Sequence, residues 1–300
     1  MKKRLLTGLI AAALLLQPYA AGAESAPLVY RVTDDQGHTI YLLGTIHVGN
    51  EEMYPLGPGV EEAYREAEII AVELDLYAYG GNLFNSVRYA FSMMYGLNDS
   101  AEKHLSPEAY ALGVEKLGLP EMALKRMKPV MWYSLAEQKM YEAAGLDAMK
   151  GVDYRLLRQA HQDGKQIDEL ETVEEQMAVL LSFPDEVMDH EIQAMLTFPE
   201  ESAQGLRNLF EAWRQGDRDG LETLLNAQEE EAEGGLEEAY GAFSDTLIDS
   251  RNDGFEQQAL AYLNSGKTAL IAIGAFHIVG ENGLVEKLTR AGCHTEEIGR

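Results

Sequence analysis

The sequence predicts an α/β fold: a mixed central sheet flanked by helices on both faces, with a helical insertion running roughly from Leu83 to Ala144. Three observations carry this. Ile69–Val72 and Leu270–Ile273 are apolar without polar alternation, the pattern of strands buried on both faces. Strand-like and helix-like stretches alternate at both ends of the chain. Between Leu83 and Ala160 no strand signal interrupts the helical patterns.

The N-terminus reads as a processing signal. Lys2, Lys3 and Arg4 precede an apolar stretch from Leu5 to Leu16, Gln17-Pro18 breaks it, and Ala21-Gly22-Ala23 supplies small residues for cleavage. The apolar run is short for a membrane span. Residues 1–23 are therefore expected to be a signal peptide, 24–300 the mature domain, and the location extracytoplasmic, with no transmembrane helix left after cleavage.

Leu28–Thr33 and Thr39–Leu43 flank Asp34-Asp35-Gln36-Gly37 and read as a β-hairpin. Pro55 and Pro58-Gly59 punctuate the next loop, and Val60–Ala67 reads as a helix. Glu68–Asp75 is a buried strand with Glu73 and Asp75 at its end. Leu83–Gly96, rich in methionine and aromatics, reads as a core-packing helix. Ser106-Pro107-Glu108 opens another, with serine as N-cap and proline at the first helical position. Helices continue through Pro129–Ala144, anchored by Trp132 and Tyr133. Gly151-Val152-Asp153 leads into a helix over Tyr154–Gln162, and Gly164 ends it.

Lys165-Gln166-Ile167 then runs toward the acidic cluster Asp168-Glu169-Leu170-Glu171. Thr172-x-x-Glu175 is a capping box, so Glu171 stands just before a helix N-terminus, where a carboxylate is favoured. Asp185–Leu225 is helical, and Glu229–Gly235 reads as a solvated acidic loop. Phe243–Leu263 is a helix carrying Arg251-Asn252, a pair that by composition suits a surface. After Gly266-Lys267 comes the strand ending in Gly274. A helix follows over Gly280–Ala291, and His294–Ile298 is a candidate edge strand.

Charge limits the partners. Removing Lys2, Lys3 and Arg4 from the 24 Lys and Arg leaves 21 against 50 Asp and Glu, a net charge of −29. Such a surface repels phosphate backbones and anionic membranes, which argues against nucleic-acid binding. Cys293 is the single cysteine, so no internal disulfide forms, and a buried inert thiol is expected.

The candidate chemistry sits at two echoing strand ends. Thr39–Gly49 reads TIYLLGTIHVG and Ala269–Gly280 reads ALIAIGAFHIVG. Each is an apolar run, a glycine, and a histidine three residues on, which places His47 and His277 at one edge of one sheet. Gly-x-x-His alone is a weak motif. Its weight here comes from the strand before each copy and from the acidic strand end at Glu73.

These pieces together resemble the TraB/GumN family, the group that includes the Tiki-type metalloproteases. The resemblance rests on YLLGTIHVG (41–49), AVELDL (71–76), GVDYRLLRQAHQDGKQIDELETVEEQ (151–176), Arg251-Asn252 and IAIGAFHIVGENGLVEKLTRAG (271–292). It implies a fold shared with erythromycin-esterase-like and haem-uptake-related proteins. It also implies a divalent-metal-dependent hydrolase, with His47 and His277 as the motif histidines and Glu73, Glu171 and Arg251 as matched polar positions.

Two imidazoles and a carboxylate suit Zn, Mn, Fe or Co and leave positions for water and substrate. His47, Glu73 and His277 are accordingly the expected metal ligands. Glu171 is the candidate general base, and Arg251 the candidate stabiliser of a developing oxyanion. The expected substrate is a peptide or protein. Two alternatives stand beside this: a metal-free esterase or amidase in which Glu73 orients His47 as base, and a non-catalytic protein that binds a peptide or cofactor.

Overall fold

The computed structural model describes residues 25–80, 90–230 and 235–299. The expected signal segment lies outside them, as do the first half of the Leu83–Gly96 stretch (83–89) and residues 231–234 of the Glu229–Gly235 loop.

Six strands form one mixed sheet in the order β4-β3-β5-β2-β1-β6. The expected hairpin is β1 (Val29–Thr33) antiparallel to β2 (Thr39–Thr45). β2 lies parallel to β5 (Ala269–Gly274), with Leu42 opposite Ile271. β5 in turn lies parallel to β3 (Ile69–Val72), and β3 to β4 (Gln166–Glu169). β6 (His294–Glu297) closes the far edge, antiparallel to β1. Every residue of β3 is buried, as are Ile40–Thr45 and Ala269–Ile273. Successive strand residues face opposite sides, so an unbroken buried run means that both faces are covered. β4 and β6, at the two edges, carry the exposed polar residues Gln166, Glu169, His294 and Glu297. Charged edge strands of this kind discourage pairing with another chain.

The four parallel strands end on the same edge, and each delivers a singled-out residue there. His47 follows β2 by two positions, and Glu73 follows β3 directly. Glu171 follows β4 by two positions, and His277 follows β5 by three, in a 3-10 turn over Ala275–His277. A crevice at the carboxyl ends of parallel strands is where open α/β sheets hold their ligands.

Between β3 and β4 the described chain is helical, and a second helical run spans Val173 to Ser265. Ser106 caps the Pro107–Lys116 helix as expected, its Oγ accepting the Ala109 N–H at 3.1 Å. The Pro129–Ala144 helix packs on Asp185–Thr197 and Pro199–Arg214. The helical layer is thus built from both runs, and the insertion expected at Leu83–Ala144 supplies part of it. Two fully buried tryptophans lock this layer. Trp132 Nε1 donates to the Leu124 carbonyl at 3.0 Å, and Trp213 Nε1 reaches the sheet itself, donating to the Gly44 carbonyl at 2.8 Å.

The stretch expected as one helix over Phe243–Leu263 is interrupted. A π-helical turn at Asp245–Asp249 joins Glu237–Ser244 to Ser250–Ser265. Such a turn shifts the face that the next residues present, and Arg251 and Asn252 come directly after it. Cys293 is free and buried. Among the described residues no helix is long and apolar enough to cross a membrane.

Candidate active site

The glycine of each Gly-x-x-His copy has a local reason. A Cβ on Gly44 would stand 3.2 Å from Ala275 Cα, so the ends of β2 and β5 approach closely only without a side chain there. A Cβ on Gly274 would meet Glu73 Oε1 at 3.5 Å, His277 Cδ2 at 3.6 Å and His47 Nε2 at 3.9 Å. Three of the residues singled out from the sequence therefore surround one glycine.

His47 is oriented from a distant part of the chain. Its Nδ1 donates to Asp153 Oδ2 at 2.9 Å, and Thr45 Oγ1 donates to the other oxygen at 2.6 Å. Asp153 lies in the first turn of the Val152–Asp163 helix, where the helix dipole favours a carboxylate. The N-cap of that helix, Gly151, is pressed against the His47 peptide: a Cβ there would stand 2.3 Å from the His47 carbonyl oxygen. The Val152 N–H donates to the Ile46 carbonyl at 3.0 Å. The charge of Asp153 raises the His47 imidazole above its ordinary value. The ring is 65% exposed, so water screens the pair. When His47 is neutral, the proton stays on Nδ1 and Nε2 offers its lone pair to the cleft.

His277 is buried and held from both sides by consecutive residues. Its Nδ1 donates to Asn252 Oδ1 at 2.7 Å. The amide is fixed in turn, because Asn252 Nδ2 donates to the Asn282 carbonyl at 2.9 Å. The opposite nitrogen, Nε2, accepts from Arg251 Nη1 at 3.1 Å. Burial lowers the imidazole to about 4, with the Arg251 charge adding to the effect. His277 is therefore neutral at physiological pH.

Arg251 is the hub. Its Nε donates to Glu171 Oε1 at 2.8 Å, and Nη2 to Glu171 Oε2 at 2.7 Å and to Glu73 Oε2. Nη1 donates to the Leu247 carbonyl at 3.0 Å as well as to His277. A guanidinium has five N–H groups, and all five are engaged. Glu73 Oε1 accepts the Gly274 N–H at 2.8 Å. Burial works against a charge on Glu73, but the neighbouring cations outweigh it and hold the carboxyl well below its usual range. His277, once protonated in the acid range, contributes most to that effect, followed by Arg251 and His47. The side chains of Arg251, Glu73 and Glu171 are only 9%, 12% and 10% exposed, so this is an interior ion network.

A further carboxylate, in the helical layer, feels the charge of His47. Glu137, on Pro129–Ala144, accepts from Tyr141 Oη at 3.1 Å, and Tyr133, one turn earlier, also offsets its charge. Burial is the dominant influence and raises the carboxyl to about 7, against an opposing pull from His47. Because the folded value lies above the unfolded one, the folded state binds the extra proton. Stability falls as pH rises from about 4.5 to about 7. Glu137→Gln removes the penalty while keeping an acceptor for Tyr141. It should stabilise by about 1–3 kcal/mol at pH 8 and by almost nothing at pH 4. Denaturant midpoints at the two pH values check this, and an equal gain at both would rule out a buried, ionising Glu137.

The sequence-derived set thus divides. His47, Glu73 and His277 gather around Gly274, and Glu171 joins them through Arg251. Asp153, Asn252 and Glu137 were not singled out. Asp153 and Asn252 lay inside the stretches that carried the family resemblance, which was the available signal. Glu137 had none beyond an isolated acid in an apolar helix. Among the described residues no three His, Cys, Asp or Glu side chains stand close enough to hold a metal ion as arranged, and Arg251 is bonded to two of the three expected ligands. The chemistry of the donor set nonetheless suits one. Each ring has its Nδ1 fixed by an acceptor, Asp153 or Asn252, which is how metal-binding histidines are commonly oriented. A groove of about 960 Å³ lined by Tyr54, Tyr64, Arg155 and Gln159 lies behind the Val152–Asp163 helix and includes none of these ligands.

Over 145 residues the chain is 27% identical to the "Uncharacterized protein YbaP" of Escherichia coli (strain K12), and equally to that of Shigella flexneri. The match covers 48% of this chain and 53% of each relative, so it spans about half the length of the curated relatives. No solved structure matches. The profile of the TraB/PrgY/gumN family, by contrast, matches residues 28–297, from the first strand of the sheet to the last: the chain belongs to the TraB/PrgY/gumN family.

Proposed function

We propose that the chain is an exported, divalent-metal-dependent hydrolase acting on peptides or proteins. One observation carries the reading. Two histidines from adjacent parallel strands meet Glu73 around Gly274, each with its Nδ1 committed to a fixed acceptor and its Nε2 on the side of the site. His47, His277 and Glu73 are the residues that would hold the ion, whether Mn, Co, Zn or Fe. Bound there, it would polarise a carbonyl and acidify water. Asp153 and Asn252 orient the rings. Glu171 keeps a spare lone pair on each oxygen for general-base work, and Arg251 would add positive charge beside the developing oxyanion. The N-terminal leader supports a location outside the cytoplasm, and the acidic surface argues against nucleic acid as a partner.

A second reading has its own observation. The His47–Asp153–Thr45 chain would let His47 serve as base without a metal, with Asp153 as the orienting group in place of Glu73. Elemental analysis of the purified protein, paired with a peptide-library cleavage assay, separates the two. Metal dependence predicts a retained divalent ion and cleavage, both lost in His47→Ala and His277→Ala while the fold persists. Cleavage unaffected by chelators, without metal, favours the His47 base. Turnover of any substrate removes the third reading, a non-catalytic binding protein.

A further inference from the structure

Arg251 raises a question that the hydrolase reading leaves open, because its side chain occupies what a metal would need. Nη1 donates into His277 Nε2 at 3.1 Å, the only ring nitrogen that histidine has free, since Nδ1 is committed to Asn252. Nη2 donates to Glu73 Oε2. An imidazole nitrogen has one lone pair, so the one that accepts from Arg251 is not available to a metal; at Glu73, whose oxygens have further lone pairs, the conflict is the repulsion between the guanidinium and a divalent ion at one carboxylate. The guanidinium and a divalent ion therefore compete for the same two ligands.

The other anchors explain how the side chain could yield without leaving. Glu171 grips Nε and Nη2 as a bidentate fork at 2.8 and 2.7 Å, and the Leu247 carbonyl, in the π-helical turn, takes Nη1 at 3.0 Å. Bidentate arginine–carboxylate pairing is strong and directional. The fork survives a small rotation that breaks the bonds to His277 and Glu73. A second buried carboxylate beyond Glu73 is then accounted for: it keeps the cation at the site when Glu73 is given up.

Resting on the metal-dependent reading, we propose that Arg251 is an internal counter-ion: it holds His277 and Glu73 in the metal-free protein, and a divalent cation binds only by displacing it from both, while Glu171 retains it. The displaced guanidinium has two N–H groups freed beside the metal ligands.

The test is metal affinity, independent of any substrate. Co²⁺ and Zn²⁺ are titrated into the full chain by calorimetry, with the Co²⁺ visible spectrum reporting coordination. Wild type is compared with Arg251→Met, Arg251→Lys and Arg251→Met/His277→Ala. Arg251→Met should bind one ion at least tenfold more tightly than wild type, and the added His277→Ala should abolish that gain. Arg251→Lys, which retains a charge but not the fork, should fall between and carries the comparison if Arg251→Met does not fold. Equal affinity in wild type and the Arg251 variants overturns the counter-ion role and leaves the metal reading standing. Binding in the variants but not in wild type upholds the competition and overturns metal dependence of the natural chain. No binding by any of the proteins overturns both.

Discussion

Arg251→Met should destabilise the metal-free fold by about 3–5 kcal/mol at pH 7, the usual cost of removing one partner from a buried ion pair. Methionine keeps most of the volume, so the loss is electrostatic rather than a cavity. Glu73 and Glu171, 12% and 10% exposed, would be left facing each other without their cation. The pH dependence distinguishes this from simple packing damage. In the wild type Glu73 is held below its unfolded value, so its contribution is present above about pH 4.5 and is lost as pH falls through the lower folded value. In the variant Glu73 loses that cation while its burial still disfavours the charge, so it takes up a proton more readily. The gap between the two proteins should therefore shrink steadily below about pH 5. Urea denaturation of the metal-free proteins at pH 7 and pH 4 measures it, and a gap independent of pH would show that the network is not what the substitution disrupts.

Much of the frame behind this network was legible because it rests on short-range patterns. An apolar run, a glycine and a histidine occur twice, and burial on both faces leaves such runs few places except the centre of a parallel sheet. β2 and β5 are indeed neighbours, in register from Tyr41 opposite Leu270 to Thr45 opposite Gly274. Glu73 was readable as a strand-end carboxylate for the same reason, and Glu171 as a carboxylate just before a helix N-terminus.

What the pattern hid was tertiary. Ser250, Arg251, Asn252 and Asp253 look like an exposed polar stretch, yet Asn252 is 0% exposed and Arg251 lies at the centre of the site. The π-helical turn before them turns polar residues toward the sheet edge, and single-sequence periodicity does not register one inserted residue. Asp153 was visible only as a helix-start aspartate, a position that acids occupy for capping alone. Its second role depends on Gly151 admitting the His47 backbone, a contact across more than a hundred residues. The helical layer was under-read in the same way. Its two runs flank β4 in sequence, and nothing local announces that Pro129–Ala144 packs on helices that come after that strand.

Asp153→Asn should lower turnover by about 10²–10⁴-fold with little change in fold, the range seen when an orienting carboxylate beside a catalytic histidine becomes an amide. The shape of the side chain is preserved, and Thr45 can still donate to its oxygen. The group facing His47 Nδ1 at 2.9 Å, however, becomes an N–H donor. Nδ1 must then accept, which moves the imidazole proton to Nε2, the atom that either a metal or a substrate proton requires. If His47 is a ligand, metal affinity should fall about 10–100-fold as well; if it acts as base, the rate falls with metal content unchanged. The titration of the ring supplies a check that needs no substrate. Asp153 raises the folded value of His47, so the pair stabilises the protein fully below pH 6.5 and loses that contribution as pH climbs through the raised value. The asparagine variant should titrate nearer 6.5 by histidine NMR, and its stability relative to wild type should recover above that range. A variant whose His47 titration and activity both match the wild type would mean that Asp153 only caps its helix.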